Sequence, residues 1–175
     1  TLKELSELML AHTDARIVAG GTDIVLEITQ MMKSLGTIIY VGNVPELQTF
    51  EQNDSEFAVG AALPYTEFTS SLATEYHEFG EMIERIGSLQ IRNQGTLGGN
   101  VGNASPIGDT PPVLIALDAQ INLRKGDDNR IIPIEDYFVD YKLTLQQKSE
   151  FIQSIIIPKA KENTHLKVYK ISLLE

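Results

Sequence analysis

The sequence predicts an α+β fold with a small parallel lobe at the N-terminus and a mainly antiparallel second lobe. Three observations carry this. A short apolar strand, Arg16 to Ala19, breaks at Gly20-Gly21, leads into a helical stretch and returns to a strand at Thr37 to Val41, the order of a small βαβ unit. Further strand candidates flank turn-forming residues at Asn53-Asp54 and at Gly126-Asp127-Asp128, as hairpins do. Helical periods and a long glycine-rich stretch separate the two hairpins. A chain of 175 residues can hold one ordinary domain or two small lobes sharing a ligand. The division expected here is 1–60 and 61–175.

The elements follow in order. Thr1-Leu2-Lys3-Glu4 has the form of a capping box, and Leu2, Leu5, Leu8 and Met9 then fall on one helical face. Thr22-Asp23 opens the helix of the βαβ unit, which is expected to run to Met32. Gln48 to Glu51 and Glu56 to Val59 make the first hairpin. Pro64 stands where a first helical residue tolerates proline, so a helix is expected to Tyr76, then another from Glu78 to Ile86 with Met82, Ile83 and Ile86 inward. From Gly87 to Pro112 neither apolar period persists, and the segment reads as a long loop of the kind that is usually functional or disordered. The apolar helix expected from Pro112 to Leu117 argues against disorder. Gln120 to Lys125 and Arg130 to Pro133 form the second hairpin, and Phe151 to Ile157 and Leu166 to Ile171 are further strands.

Composition narrows the function. No apolar run approaches the roughly 20 residues of a membrane span, and the N-terminus lacks the pattern of a signal peptide. Thr1 has no preceding Met, so the native start is expected to be missing. The absence of cysteine excludes disulfides, thiolate zinc sites and iron–sulfur clusters held by this chain, and suits a cytoplasmic location. His12, His77 and His165 lie far apart without ligand-like spacing, and no metal site is expected. A net charge of −10 argues against nucleic acid. It also means that any anionic ligand must be held by local donors rather than by the field of the whole protein.

Two glycine-rich segments could supply such donors. Ala19-Gly20-Gly21-Thr22-Asp23 ends a strand and opens a helix, where free N–H groups and the Thr22 hydroxyl favour an anion. Taken alone, an ordinary turn with a helix cap explains it equally, and the G-x-G-x-x-G spacing is absent. Thr96-Leu97-Gly98-Gly99-Asn100 says more, because four glycines fall between positions 95 and 102 among hydroxyl and amide side chains. Asp109 can accept from a ligand hydroxyl or cap the following helix. No paired-carboxylate or triad arrangement is visible, and no catalytic side chain is expected.

Ile17 to Ile24 (IVAGGTDI), Ile91 to Asn100 (IRNQGTLGGN) and Ala104 to Asp109 (ASPIGD) together closely resemble the FAD-binding domain of molybdenum hydroxylases. Within that family the resemblance is greatest to the small FAD-bearing subunit of bacterial xanthine dehydrogenase, and it runs over essentially the whole chain. It implies the two-lobed flavoprotein architecture of the vanillyl-alcohol oxidase group, with FAD between the lobes. Ile17, Val18, Ala19, Gly20, Gly21, Thr22, Asp23 and Ile24 would wrap the pyrophosphate and its ribose. Thr96, Gly99 and Asn100 would line the other side of the cleft, Asp109 would meet the adenosine ribose, and Ile152 would form part of an apolar wall. Lys170 would reach the polar edge of the flavin. Ile86 stands where some members stack an aromatic ring.

The resemblance further implies an electron relay: molybdopterin and iron–sulfur clusters on partner subunits or segments feed FAD, with NAD as acceptor. The flavin subunit of a carbon monoxide dehydrogenase or of a hydroxybenzoyl-CoA reductase-like enzyme is the alternative within the family. A non-catalytic nucleotide-binding module is the alternative outside it. The family continues beyond Lys170 into another small domain, and Ser172 to Glu175 departs from its pattern, so a fragment is expected.

Overall fold

The computed structural model describes residues 1–162 and 164–171; the expected departure at 172–175 lies outside them. Helix α1 (Leu2–Ala11) begins with the capping box, the Thr1 side chain accepting from the Glu4 N–H and the Glu4 carboxylate reaching back to residue 1. Leu5 and Met9 are buried, but Leu8 is exposed. Ser6 takes the inward place instead, because α1 lies against a turn whose Gly126 carbonyl accepts from the Ser6 hydroxyl at 3.0 Å.

The βαβ unit forms as expected. Strand β1 (Arg16–Val18) and strand β2 (Ile38–Tyr40) pair in parallel, with helix α2 (Ile24–Thr29) between them. Helix α2 stops short of Met32, which already has a left-handed backbone (φ 53°) that no helix accommodates. None of its residues is buried.

The remaining strands build a five-stranded sheet. Strands β3 (Phe50–Gln52) and β4 (Glu56–Gly60) form the first hairpin, β5 (Gln120–Lys125) and β6 (Asp128–Pro133) the second. Two short strands follow in a separate ribbon, β7 (Phe138–Asp140) and β8 (Leu143–Thr144), and the last, β9 (Phe151–Pro158), inserts between the hairpins. The order is β3-β4-β9-β5-β6, antiparallel throughout. The central position of β9 explains its nearly continuous apolar run.

The β5–β9 register shifts where Asn122 faces Ser154 but Leu123 faces Ile152. This bulge at Gln153 turns Ile152 onto the face that carries Ile155 and Ile157, a parity that strict alternation forbids.

Helices α3 (Tyr65–Ala73), α4 (His77–Glu84), α5 (Leu89–Arg92), α6 (Leu97–Asn103), α7 (Thr110–Ala116) and α8 (Ile134–Tyr137) complete the fold. The stretch from Gly87 to Pro112 is therefore not a long irregular loop. Glycine lowers helix propensity, but side-chain caps from Ser88 and Thr96 and burial of Leu97 and Val101 outweigh it. Residues 166–171 form no strand either. Leu166 and Val168 pack on the core with strand-like alternation, yet the neighbour is α4, contacted through Lys167 and Glu78, and a helix offers no ladder.

The main core lies between the sheet and these helices. Phe57, Val59, Ile121, Leu123, Ile155 and Ile157 meet Phe68, Leu72, Phe79, Ile83, Leu97, Leu114 and Tyr137, all almost fully buried. A second cluster of Leu5, Met9, Ile39, Val41, Val44, Leu47, Ala62 and Phe151 fastens the parallel unit to the rest.

Candidate functional site

A cleft of about 720 Å³ opens between the parallel unit, helix α6 and strand β9. Every residue from Ile17 to Ile24 lines it, together with Ile86, Thr96, Gly99, Asn100, Asp109 and Ile152. Lys170 stands behind this wall, its ammonium 2.7 Å from the Asp109 carboxylate. The structure thus brings all the sequence-selected residues together.

The glycines explain how the two segments meet. A Cβ on Gly20 would lie 1.7 Å from the Gln94 carbonyl oxygen, so the first glycine segment rests directly on the backbone leading into the second. Gly21 has φ +70°, which glycine adopts without strain. Gly98 seats the start of α6 on Ala61, where a Cβ would come within 2.5 Å of the Ala61 carbonyl oxygen.

Polar contacts fix the far wall. The buried Thr96 hydroxyl accepts from the Gly99 N–H at 2.9 Å and so caps α6. Thr110, fully buried, donates its hydroxyl to Asn100 Oδ1 at 2.6 Å. With Oδ1 engaged, the Asn100 amide nitrogen is left as the donor on the cleft side. Thr110→Val should therefore cost about 1–3 kcal/mol of stability and weaken ligand binding, since the Asn100 oxygen loses its partner. Thermal denaturation and ligand titration check both effects.

Asp109 occupies the N-cap position of α7 without bonding the helix backbone, and its carboxylate goes to Lys170. Asp109, expected at a ribose, and Lys170, expected at the flavin edge, therefore stand beside each other.

Sequence reasoning missed four lining features. Arg16 holds Glu27 with two bonds of 2.9 and 2.7 Å, and this pairing holds the Glu27 carboxyl below its usual range. Lys142 and Gln146 line the cleft from the β7–β8 region. Tyr65 is buried, and its hydroxyl has no hydrogen-bond partner among the described residues. Burial, reinforced by the Asp109 charge, pushes the Tyr65 phenol upward. The Arg16–Glu27 spacing from strand to helix was readable; the others come from elements without a clear sequence pattern.

The family model described as the FAD-binding domain in molybdopterin dehydrogenase matches residues 1–160. A xanthine dehydrogenase from Emericella nidulans is 29% identical over 182 residues, which is 97% of this chain and 13% of that protein. Subunit alpha of the 6-hydroxypseudooxynicotine dehydrogenase complex from Paenarthrobacter nicotinovorans is 28% identical, over 83% of this chain and 50% of that one. The chain thus spans half or less of the length of these relatives. A carbon monoxide dehydrogenase from Hydrogenophaga pseudoflava shares the fold, with a TM-score of 0.86 at 24% identity over 93% of this chain and 57% of that chain.

Proposed function

Because the chain belongs to the family of FAD-binding domains in molybdopterin dehydrogenases, we propose that its cleft holds FAD for electron relay in a xanthine dehydrogenase-like oxidoreductase. The observation that carries this reading is the interlock of the two glycine segments, where Gly20 rests on Gln94 with no room for a Cβ. Without a side chain at Gly20 and Gly21 a ligand can approach the backbone closely, and backbone N–H groups there would let a strongly acidic protein receive a diphosphate.

The donor set fits the cofactor. Gly20, Gly21 and Thr22 precede α2 and would hold the diphosphate, with Asp23 available to a ribose hydroxyl and Ile17, Val18, Ala19 and Ile24 completing the loop. Gly99 and the Asn100 amide face it from α6. Ile86 and Ile152 offer apolar cover. We assign Asp109 and Lys170 together to the polar edge of the flavin, where the carboxylate would accept and the ammonium would donate. A cation there favours the reduced, anionic ring. The two lobes of this reading are residues 1–60 and 61–175, with the β3–β4 hairpin of the first pairing into the five-stranded sheet.

When bound, FAD would supply the step between iron–sulfur clusters and NAD, with molybdopterin and those clusters carried by partner subunits or other segments. The residues here orient the cofactor and tune it; none acts as acid, base or nucleophile. Among the described residues no helix is long and apolar enough to cross a membrane, and a cytoplasmic enzyme is the setting we propose.

The test is the visible spectrum and FAD titration of the intact protein. Bound flavin, or uptake of added FAD, supports the reading; absence of both would sink it. Gly21→Val should weaken FAD binding about tenfold or more, because a β-branched residue at φ +70° must distort the loop. Unchanged affinity in that variant speaks against the diphosphate cradle.

A further inference from the structure

Charges on the cleft wall are mostly spent on each other. Arg16 is paired with Glu27, and Asp109 with Lys170. Among the described residues this leaves one lining base without an ion-pair partner, Lys142, and one such acid, Asp23. Lys142 occupies the two-residue turn between β7 and β8, where Asp140 pairs with Leu143. Its φ is 52°, in the left-handed region that turns of this kind normally give to glycine or asparagine. A lysine there carries a backbone cost that a glycine would not, and strain of this sort gathers at ligand sites.

Its place along the wall is also informative. After the Arg16 bonds, Lys33 and then Lys142 help hold the Glu27 carboxyl below its usual range, and Glu27 lies in the first turn of α2. Lys142 thus lines the same cleft as the Gly20-Gly21-Thr22 segment before α2, where the Arg16–Glu27 pair leaves its charge uncompensated.

We propose that Lys142 is a further cofactor-anchoring residue, an ammonium presented by the β7–β8 turn to the anionic diphosphate of the dinucleotide. This rests on the FAD reading above. It explains how the cleft offsets the overall acidity with a side-chain charge besides its backbone donors, and why the turn tolerates an unfavourable residue.

The experiment is FAD titration of the intact protein at low and high salt, with melting temperatures, for wild type, Lys142→Gln, Lys142→Arg and Lys142→Gly. The glutamine and glycine variants should lose about fivefold in affinity at low salt. The gap should narrow at high salt because an exposed charge is screened. Arginine should retain affinity, and glycine should melt no lower than wild type while still binding more weakly. Wild-type affinity in Lys142→Gln, loss of affinity in Lys142→Arg equal to that in Lys142→Gln, or a gap unmoved by salt overturns the proposal while leaving the FAD reading intact. Failure of the wild type itself to take up FAD overturns both.

Discussion

Gly20→Ala is expected to lower FAD affinity by at least about thirtyfold and the melting temperature by about 5 °C. The added methyl would sit 1.7 Å from the Gln94 carbonyl oxygen, with the Gln94 carbonyl carbon at 2.3 Å. Both atoms are backbone, so no change of rotamer relieves the contact. One glycine segment must retreat from the other, and both line the cleft. Overpacking of this kind costs about 1–3 kcal/mol, which for a domain of this size corresponds to several degrees. If about 2 kcal/mol falls on the cofactor-bound form, affinity drops about thirtyfold. Differential scanning fluorimetry and flavin-fluorescence titration measure the two consequences. Near wild-type values in both would show that the segments do not interlock as described.

Glu150→Ala should be strongly destabilising, at about 3 kcal/mol in chemical denaturation. Glu150 is only 4% exposed. It accepts from Arg130 at 2.7 and 2.8 Å and from the Gln147 N–H at 2.6 Å, while its own carbonyl accepts from the Gln146 side chain. Removing the carboxylate strands these donors and loosens the segment that brings Gln146 to the cleft. The same group sets an acid limit. Burial alone would raise its pKa, but the Arg130 guanidinium and the Gln147 N–H outweigh burial and hold it below the ordinary 4.5. A carboxyl lowered on folding stabilises fully above its unfolded value, and that contribution disappears as pH falls through the folded value. Wild type should therefore lose stability on acidification below 4.5 more steeply than Glu150→Ala.

Much of this was legible in the chain. The capping box at Thr1, the βαβ order around Gly20-Gly21 and both hairpins depend on local signals, and local signals survive folding. The family motifs brought fourteen lining residues and Lys170 to one place. What escaped depends on distant contacts. Helix α6 carries two adjacent glycines that no propensity favours, and it forms because the Thr96 cap and burial of Leu97 and Val101 outweigh them. The short α8 and the β7–β8 turn have too few residues to show a period. Ile152 reaches the cleft wall through a bulge that only the β5–β9 pairing reveals. Residues 166–171 alternate like a strand but had no way to announce that their neighbour is a helix.

That last segment has a consequence for hydrogen exchange. Among the described residues, no backbone-to-backbone hydrogen bond holds positions 165–171; Leu166, Val168 and the side chains of Lys167 and Lys170 hold the segment in place. Amides secured only by their neighbours' side chains exchange through local openings that leave the sheet intact. The Lys170–Asp109 contact belongs to that low-energy tier, whereas Gly20 on Gln94 belongs to the packed frame. The support behind the Asp109 side of the cleft thus rests on side-chain contacts, while the glycine segments rest on packed backbone.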